Sequence, residues 1–194
     1  DDRFAHKAIE KGADGLIPVA AGAGGHAGTT SPFALMQEIR EWFDGPVALS
    51  GSIAHGQSIL AAQAMGADFA YIGSAFIATK EANAVQGYKE NIVEAKASDI
   101  VYSSLFTGVH GNYLRQSIVK AGMDPDNLPE GDISTMNFGS GGNTEAKAWK
   151  DIWGSGQGIG AVKEVQSVAD MVGRLEAEYR AAKARLDGAY RKGW

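Results

Sequence analysis

The sequence predicts an α/β fold with a parallel sheet, and three observations carry that expectation. Short apolar runs at 14–20, 46–50 and 68–72 read as strands. Stretches with apolar residues at helical spacing lie between them, and the connections are short and rich in glycine. Parallel neighbours cannot be joined by a tight hairpin and need a crossover, which a helix supplies.

Each element has a local reason. Ala5, Ala8 and Ile9 lie at helical spacing and Gly12 is placed as a stop, so 4–11 reads as the tail of a helix. The chain opens on Asp1-Asp2-Arg3, and a start in mid-architecture points to a piece of a longer polypeptide. Ser31 as N-cap and Pro32 at the first helical position open the next helix. Leu35, Met36, Ile39, Trp42 and Phe43 give it an apolar face, and Asp44-Gly45 end it. A second helix runs over 57–65 and closes at Gly66, and Ser74 begins another. Beyond residue 80 the alternation changes. The pattern predicts a helix over 84–96, a strand over 100–106, a loop over 107–113 and a helix over 114–121. A long Gly-, Pro-, Asp- and Asn-rich loop follows over 122–143, then a short helix over 145–153 and a long charged amphipathic helix over 162–187.

Composition narrows the function classes. At 194 residues the chain can bury one good core. A net charge of −5 argues against nucleic acid as the main partner, because phosphate binding wants a basic face. No apolar run approaches the ~20 residues of a membrane-spanning helix. No secretory leader pattern is visible, so a cytoplasmic address is expected. With no cysteines there is no disulfide, thiolate nucleophile or cysteine metal site, and no metal site is expected. The 26 glycines fall mostly where apolar runs end, which reads as tight loops rather than a linker or fibrous repeat.

Two small-residue loops carry the chemistry. Ser50-Gly51-Ser52 follows one strand, and Gly73-Ser74 follows the next and opens a helix. Small residues let backbone N–H groups approach a phosphate, and a helix N-terminus adds a favourable dipole. Either loop alone is an ordinary strand-to-helix turn, but the pair, one unit apart, favours phosphate. In parallel barrels a phosphate is often held by the loops after the last two strands. His26 sits in Gly24-Gly25-His26-Ala27-Gly28, where the glycines let ring and backbone approach a flat cofactor. An imidazole, with an unperturbed pKa of ~6.5, is the natural base at physiological pH, although a plain surface-loop histidine fits the spacing equally well. His6, in a helix, and His55, in a turn, read as structural or solvent-facing. His110 and Tyr113 lie in a loop able to cap a pocket, or equally to pack on the core. Trp149 and Trp153, flanking Asp151, read as core packing. Gly154-Ser155-Gly156-Gln157-Gly158 is too irregular for a dinucleotide fingerprint but can line a site. The charges from Glu176 to Arg185 read as a solvated helix face.

Taken together, Ala23-Gly24-Gly25-His26-Ala27-Gly28, Ser50-Gly51-Ser52-Ile53-Ala54, Met65-Gly66-Ala67-Asp68 and Ile72-Gly73-Ser74-Ala75-Phe76 resemble the nitronate monooxygenase family, once called 2-nitropropane dioxygenases. Ser104-Leu105-Phe106-Thr107-Gly108 and Trp153-Gly154-Ser155-Gly156-Gln157-Gly158 are similar to its C-terminal segments. The resemblance implies a TIM-type (β/α)8 barrel, here only its C-terminal strands, plus an added, mostly helical domain. It implies FMN as cofactor and His26 as the active-site histidine. Gly24 and Gly25 fall at the flavin, and Ser50, Gly51, Ser52, Gly73 and Ser74 on the phosphate loops, with Gln157 beside them. Ser52 stands where a second glycine is common. The three parallel strands become strands six to eight, with strands one to five absent. The division expected is 1–82 for the barrel part, 83–160 for the added substrate-side domain and 161–194 for a C-terminal helix packing back.

The activity so implied is FMN-dependent oxidation of alkyl nitronates or nitroalkanes with O2. An FMN-dependent enoyl-ACP reductase is the nearest alternative, mildly disfavoured because no Lys/Arg cluster lies near the three loops to meet an acidic carrier protein. An NAD(P)H:quinone reductase and a non-catalytic phosphate-ligand binding module stay open, as does the oligomeric state, with a homodimer as one arrangement.

Overall fold

A computed structural model describes residues 1–131 and 151–191, with side chains to residue 188. Helix α1 (Asp2–Glu10) is capped by Asp1, whose carboxylate accepts from the Phe4 N–H at 3.1 Å. Helix α2 (Pro32–Arg40) starts at its expected proline. Helix α3 (Gly56–Ala64) is capped by His55, whose Nδ1 accepts from the Gln57 N–H at 3.1 Å. Gly12 and Gly66 end α1 and α3 with φ of +92° and +98°, a left-handed turn that glycine adopts without steric cost.

The predicted parallel strands form, but the first is interrupted. Strand β2 (Ala48–Ser50) pairs in parallel with β3 (Phe69–Tyr71). On its other side Leu16 and Val19 make only isolated parallel bridges, to Val47 and Ser50. The Leu16 N–H donates to Pro46 O and the Ala20 N–H to Ser50 O, each at 2.9 Å. Between them stands Pro18, which accepts from the Ser50 N–H but has no N–H to return. The ladder is therefore broken at its middle rung.

The sheet's two faces differ. Leu16, Ala20, Val47 and Leu49 pack against Leu35, Met36, Ile39 and Ala62 of the helices. Ile17, Val19, Phe69 and Tyr71 alternate onto the opposite face and are exposed. A sheet apolar on both faces is the pattern of parallel sheets covered on both sides.

After β3 come helix α4 (Ser74–Ile77) and helix α5 (Gln86–Glu94). A second, antiparallel sheet then forms. Strand β4 (Ile100–Ser103) pairs with β5 (Gly111–Leu114), which pairs with a two-residue strand, β1 (Gly25–His26). This corrects the expected loop over 107–113, because 111–113 are strand residues. Glycine and asparagine have low strand propensity, yet here tertiary packing requires both. A Cβ on Gly111 would lie 2.9 Å from Gly25 O, and Asn112 donates from Nδ2 to Ala23 O at 2.7 Å. The same pairing gives the expected helix over 114–121 a shorter span, α6 (Arg115–Lys120).

The C-terminal helix α7 (Val168–Arg191) starts later than the 162 expected. Gln166 instead bridges Thr79 in parallel, and Ser167 caps the helix, its Oγ accepting from the Asp170 N–H at 3.1 Å. Helix α7 lies against α3 so closely that a Cβ on Gly56 would sit 2.2 Å from the Tyr179 nitrogen. The expected loop beyond 131 and helix over 145–150, with Trp149, lie outside the described residues. Among the described residues no helix is long and apolar enough to cross a membrane.

Candidate active site

The two parallel strands end at one cleft of about 300 Å³. Gly22 to Gly25, Ser50 to Ala54, Gly73 and Ser74 line it, together with Tyr71, Gly154 and Gly156. Of the residues singled out from the sequence, the fold thus brings Gly24, Gly25, Ser50, Gly51, Ser52, Gly73 and Ser74 to one place.

Each loop has a physical reason for its residues. A Cβ on Gly73 would meet nothing within 4 Å. Its φ of −110° is open to any residue, so neither packing nor backbone demands a glycine, and what the missing side chain leaves clear is the cleft. Gly24 differs: a Cβ there would lie 2.8 Å from both the Gly156 nitrogen and Ser74 Oγ. It is small so that the 22–26 loop can touch the 154–156 segment. Ser52 has φ of +56°, the only non-glycine with positive φ among the described residues. A left-handed backbone at this position explains why glycine suits it.

Ser74 and Gln157 tie the loops together. Ser74 Oγ accepts from the Gly156 N–H at 2.9 Å, which leaves its own proton to donate. The Gln157 N–H donates to Gly22 O at 2.8 Å, and its side chain is exposed and lies against Gly22, outside the cleft lining. The Tyr88 hydroxyl donates to Gly154 O, and burial pushes its phenol up to about 12. Its ring stacks on Trp153 at 5.0 Å, in the packing role expected of that tryptophan. Helix α4 is a single turn, so local N–H groups rather than a long helix dipole are what it offers a phosphate.

His26 follows the cleft residue Gly25 on β1 and is itself exposed. Its Nε2 lies 2.8 Å from Thr107 Oγ1. Tyr113 is buried beneath, edge-on to Phe106 at 4.9 Å, and burial pushes its phenol up while Thr107 opposes the shift. His110 is exposed and stacked on Tyr102 at 4.9 Å, and its carbonyl accepts from the Ala27 N–H. Neither His110 nor Tyr113 is in the cleft lining. His6 stacks on Trp42 at 3.7 Å and His55 caps α3, the structural roles their positions predicted. Sequence reasoning missed Thr107 and Asn112 as supports of the site. Their composition signals a turn, and only the pairing of β1 with β5 gives them partners 81 and 89 residues away. No group of three or more metal-ligating side chains occurs among the described residues.

The sequence pattern of the nitronate monooxygenase family matches residues 3–178. The chain belongs to that family. A curated relative named nitronate monooxygenase, from Paraburkholderia phytofirmans, is 27% identical over 191 residues, covering 90% of this chain and 51% of its own length. Among solved structures, FabK from Thermotoga maritima superposes with a TM-score of 0.73 at 23% identity, over 97% of this chain and 61% of that one. The nitroalkane oxidase of Streptomyces ansochromogenes gives 0.69 at 23%, over 95% of this chain and 57% of its own. Both establish the fold, an α/β arrangement of part of a TIM-type barrel. The chain spans about half the length of the curated nitronate monooxygenase it matches. In this chain Gly24 immediately precedes β1, Gly25 and His26 form it, and the two small-residue loops stand at the ends of adjacent parallel strands.

Proposed function

We propose that the full-length protein is an FMN-dependent oxidoreductase that oxidises alkyl nitronates or nitroalkanes with O2. The observation that carries the reading is Gly73: a glycine with an ordinary backbone and no protein neighbour, facing a cleft walled by Ser50, Gly51 and Ser52. A cradle kept open by a missing Cβ fits a phosphate that must come close to the backbone. The residues present fit FMN. Ser50, Gly51, Ser52, Gly73 and Ser74 would hold its phosphate through hydroxyl and backbone N–H donors, and Gly24, Gly25 and Gln157 would flank it.

Bound FMN would supply the redox chemistry, taking electrons from the substrate and passing them to oxygen. The chain's own part is positioning, proton handling and exclusion of water. His26 would face the substrate and take the α-proton of a neutral nitroalkane, or donate a hydrogen bond to a nitronate. His110 and Tyr113 would flank the substrate side, Tyr113 by supporting Thr107 beneath His26. Residues 1–82 would be the barrel part, 83–160 the added domain and 161–194 the helix returning to it.

Replacing His26 by alanine or asparagine tests the reading. Flavin should stay bound, since the phosphate loops are elsewhere. A general base contributes ~10²–10⁴-fold, so turnover of neutral nitroalkane should fall within that range and turnover of preformed nitronate less. Equal losses would make His26 a positioning or electrostatic group, and unchanged rates with both substrates would remove the reading's chief support.

A further inference from the structure

We propose that Glu178, on the C-terminal helix α7, is a positioning residue for the phosphate loop: it holds Ser52 to Ala54 at the cleft and closes the N-terminus of α3 to the phosphate itself. Glu178 belongs to the charged run 176–185, whose composition reads as a solvated face, yet its side chain is only 20% exposed and is bonded to α3. Its Oε2 accepts from the Gly56 N–H at 2.8 Å. Its Oε1 accepts from Arg174 Nη1 at 2.7 Å and stands 3.3 Å from His55 Nε2. His55 Nδ1 accepts from the Gln57 N–H, so in the neutral ring Nε2 carries the proton and offers it to Glu178. The N–H groups of a helix's first turn need partners from outside the helical ladder. In α3 Gly56 gives its N–H to Glu178, Gln57 to the His55 ring and Ser58 to His55 O at 2.9 Å. An open helix start behind a strand is a ready anion site. This one is filled by a carboxylate, and Arg174 balances the charge that the carboxylate brings.

The clamp reaches the cleft wall through the backbone. Arg174 Nη2 lies 3.4 Å from Ala54 O, and Ala54 lines the cleft with Ser52 and Ile53. Glu178, Arg174 and His55 are not in that lining, so they act through the loop and not on the ligand. Ser52 needs such a hold, because its φ of +56° is one that a serine does not select for itself. On the other side Gly158 backs the same turn, where a Cβ would lie 2.7 Å from the Ser52 carbonyl. The consequence for the ligand rests on the proposed FMN site: with α3 closed, the phosphate is left to Ser50–Ser52 and Gly73–Ser74, held in place from α7.

The test compares FMN with riboflavin, which has the same ring system and no phosphate, on full-length protein stripped of flavin. Wild type should bind FMN more tightly. In Glu178→Ala that preference should shrink about tenfold, with riboflavin affinity little changed. Backbone amides of residues 52–57 should also exchange hydrogen faster in the flavin-free variant. Glu178→Gln keeps an acceptor for the Gly56 N–H but turns an amide NH2 towards Arg174. Its loss should be smaller, and it carries the test if Glu178→Ala does not fold. Tyr179→Phe is the control: it removes the phenol's bond to Gln63, near the other end of α3, and so loosens α7 without touching the loop. Its preference for FMN should equal that of wild type. A preference unchanged in the Glu178 variants, or lowered as much in Tyr179→Phe, would overturn the proposal, as would unchanged exchange at 52–57. A wild type with no preference for FMN would overturn the FMN reading on which the proposal rests, and that result is read before any variant is made.

Discussion

The two walls of the cleft are held together by different forces. The parallel wall, residues 14–77, rests on an apolar cluster of Leu16, Leu35, Met36, Ile39, Val47 and Leu49. The antiparallel wall, with the segments packed on it, has apolar clusters of its own around Leu114, Ile118 and Ile159, but adds buried polar groups to them. Among the described residues every buried polar or charged side chain falls between Thr79 and Gln166, including Ser103, Ser104, Thr107, Asn112, Ser117 and Ser155. Non-directional burial suffices to stack helices on a sheet. Directional bonds are needed where a glycine loop carrying His26 must be held at one angle. The lesson is that damage should differ in kind: losing a polar group in the antiparallel wall should misplace the site, while changes in the parallel wall should tune stability or ligand binding.

The largest effect should come from Asn112→Ala. Asn112 is 2% exposed and is the side-chain donor to Ala23 O. Removing it leaves a buried carbonyl without that partner, at a cost of ~1–3 kcal/mol. Chemical denaturation should show that loss, and nitroalkane turnover should fall with it, because Gly24 to His26 are no longer held. Stability reduced with turnover unchanged would show that the loop keeps its place without this bond.

Ser52→Gly sharpens the comparison on the other wall. A left-handed serine costs roughly 1–2 kcal/mol, of which glycine's greater chain entropy takes back part. The flavin-free variant should gain up to ~1 kcal/mol while its affinity for FMN weakens through the lost hydroxyl. A stability gain with unchanged affinity would remove Ser52 from the phosphate contacts.

The legible and illegible parts of the molecule follow the same division. Pro32, Gly12 and Gly66 announced their helix boundaries because a proline's fixed φ and a left-handed turn act within a few residues, although Ser31 at the N-cap makes no side-chain capping bond. The loops at Ser50–Ser52 and Gly73–Ser74 were visible because each follows its strand directly. The interruption at Pro18 was also written locally, and an apolar run hid it. By contrast, β1 and β5 are built of Gly25-His26 and Gly111-Asn112-Tyr113-Leu114, whose composition reads as turn. The strand character of β1 exists only through a partner more than eighty residues away, and that of β5 through β1 on one side and β4 on the other. Thr107 was quoted as part of a family segment, but its role requires knowing that His26 lies above it.

A smaller, pH-dependent effect belongs to the edge of the parallel wall. Asp68 accepts from the Val47 N–H and from Arg40, both at 2.8 Å. The Val47 bond first, then the Arg40 bond, holds its carboxyl below the usual 3.8. A depressed folded pKa gives stability that is present above the unfolded value and is lost as pH falls through the folded one. Asp68→Asn should therefore be less stable than wild type at neutral pH, and the gap should close as the pH drops below about 4. A gap constant down to pH 2 would show that the charge contributes nothing.

The central claim, that the cleft holds a phosphate-bearing flavin, is tested most directly by Gly73→Val in the full-length protein. A Cβ at Gly73 meets no protein atom within 4 Å, so the added side chain should fill ligand space without disturbing the fold. The account predicts a colourless protein that unfolds at the same temperature as flavin-stripped wild type. Full flavin absorbance in that variant would contradict it.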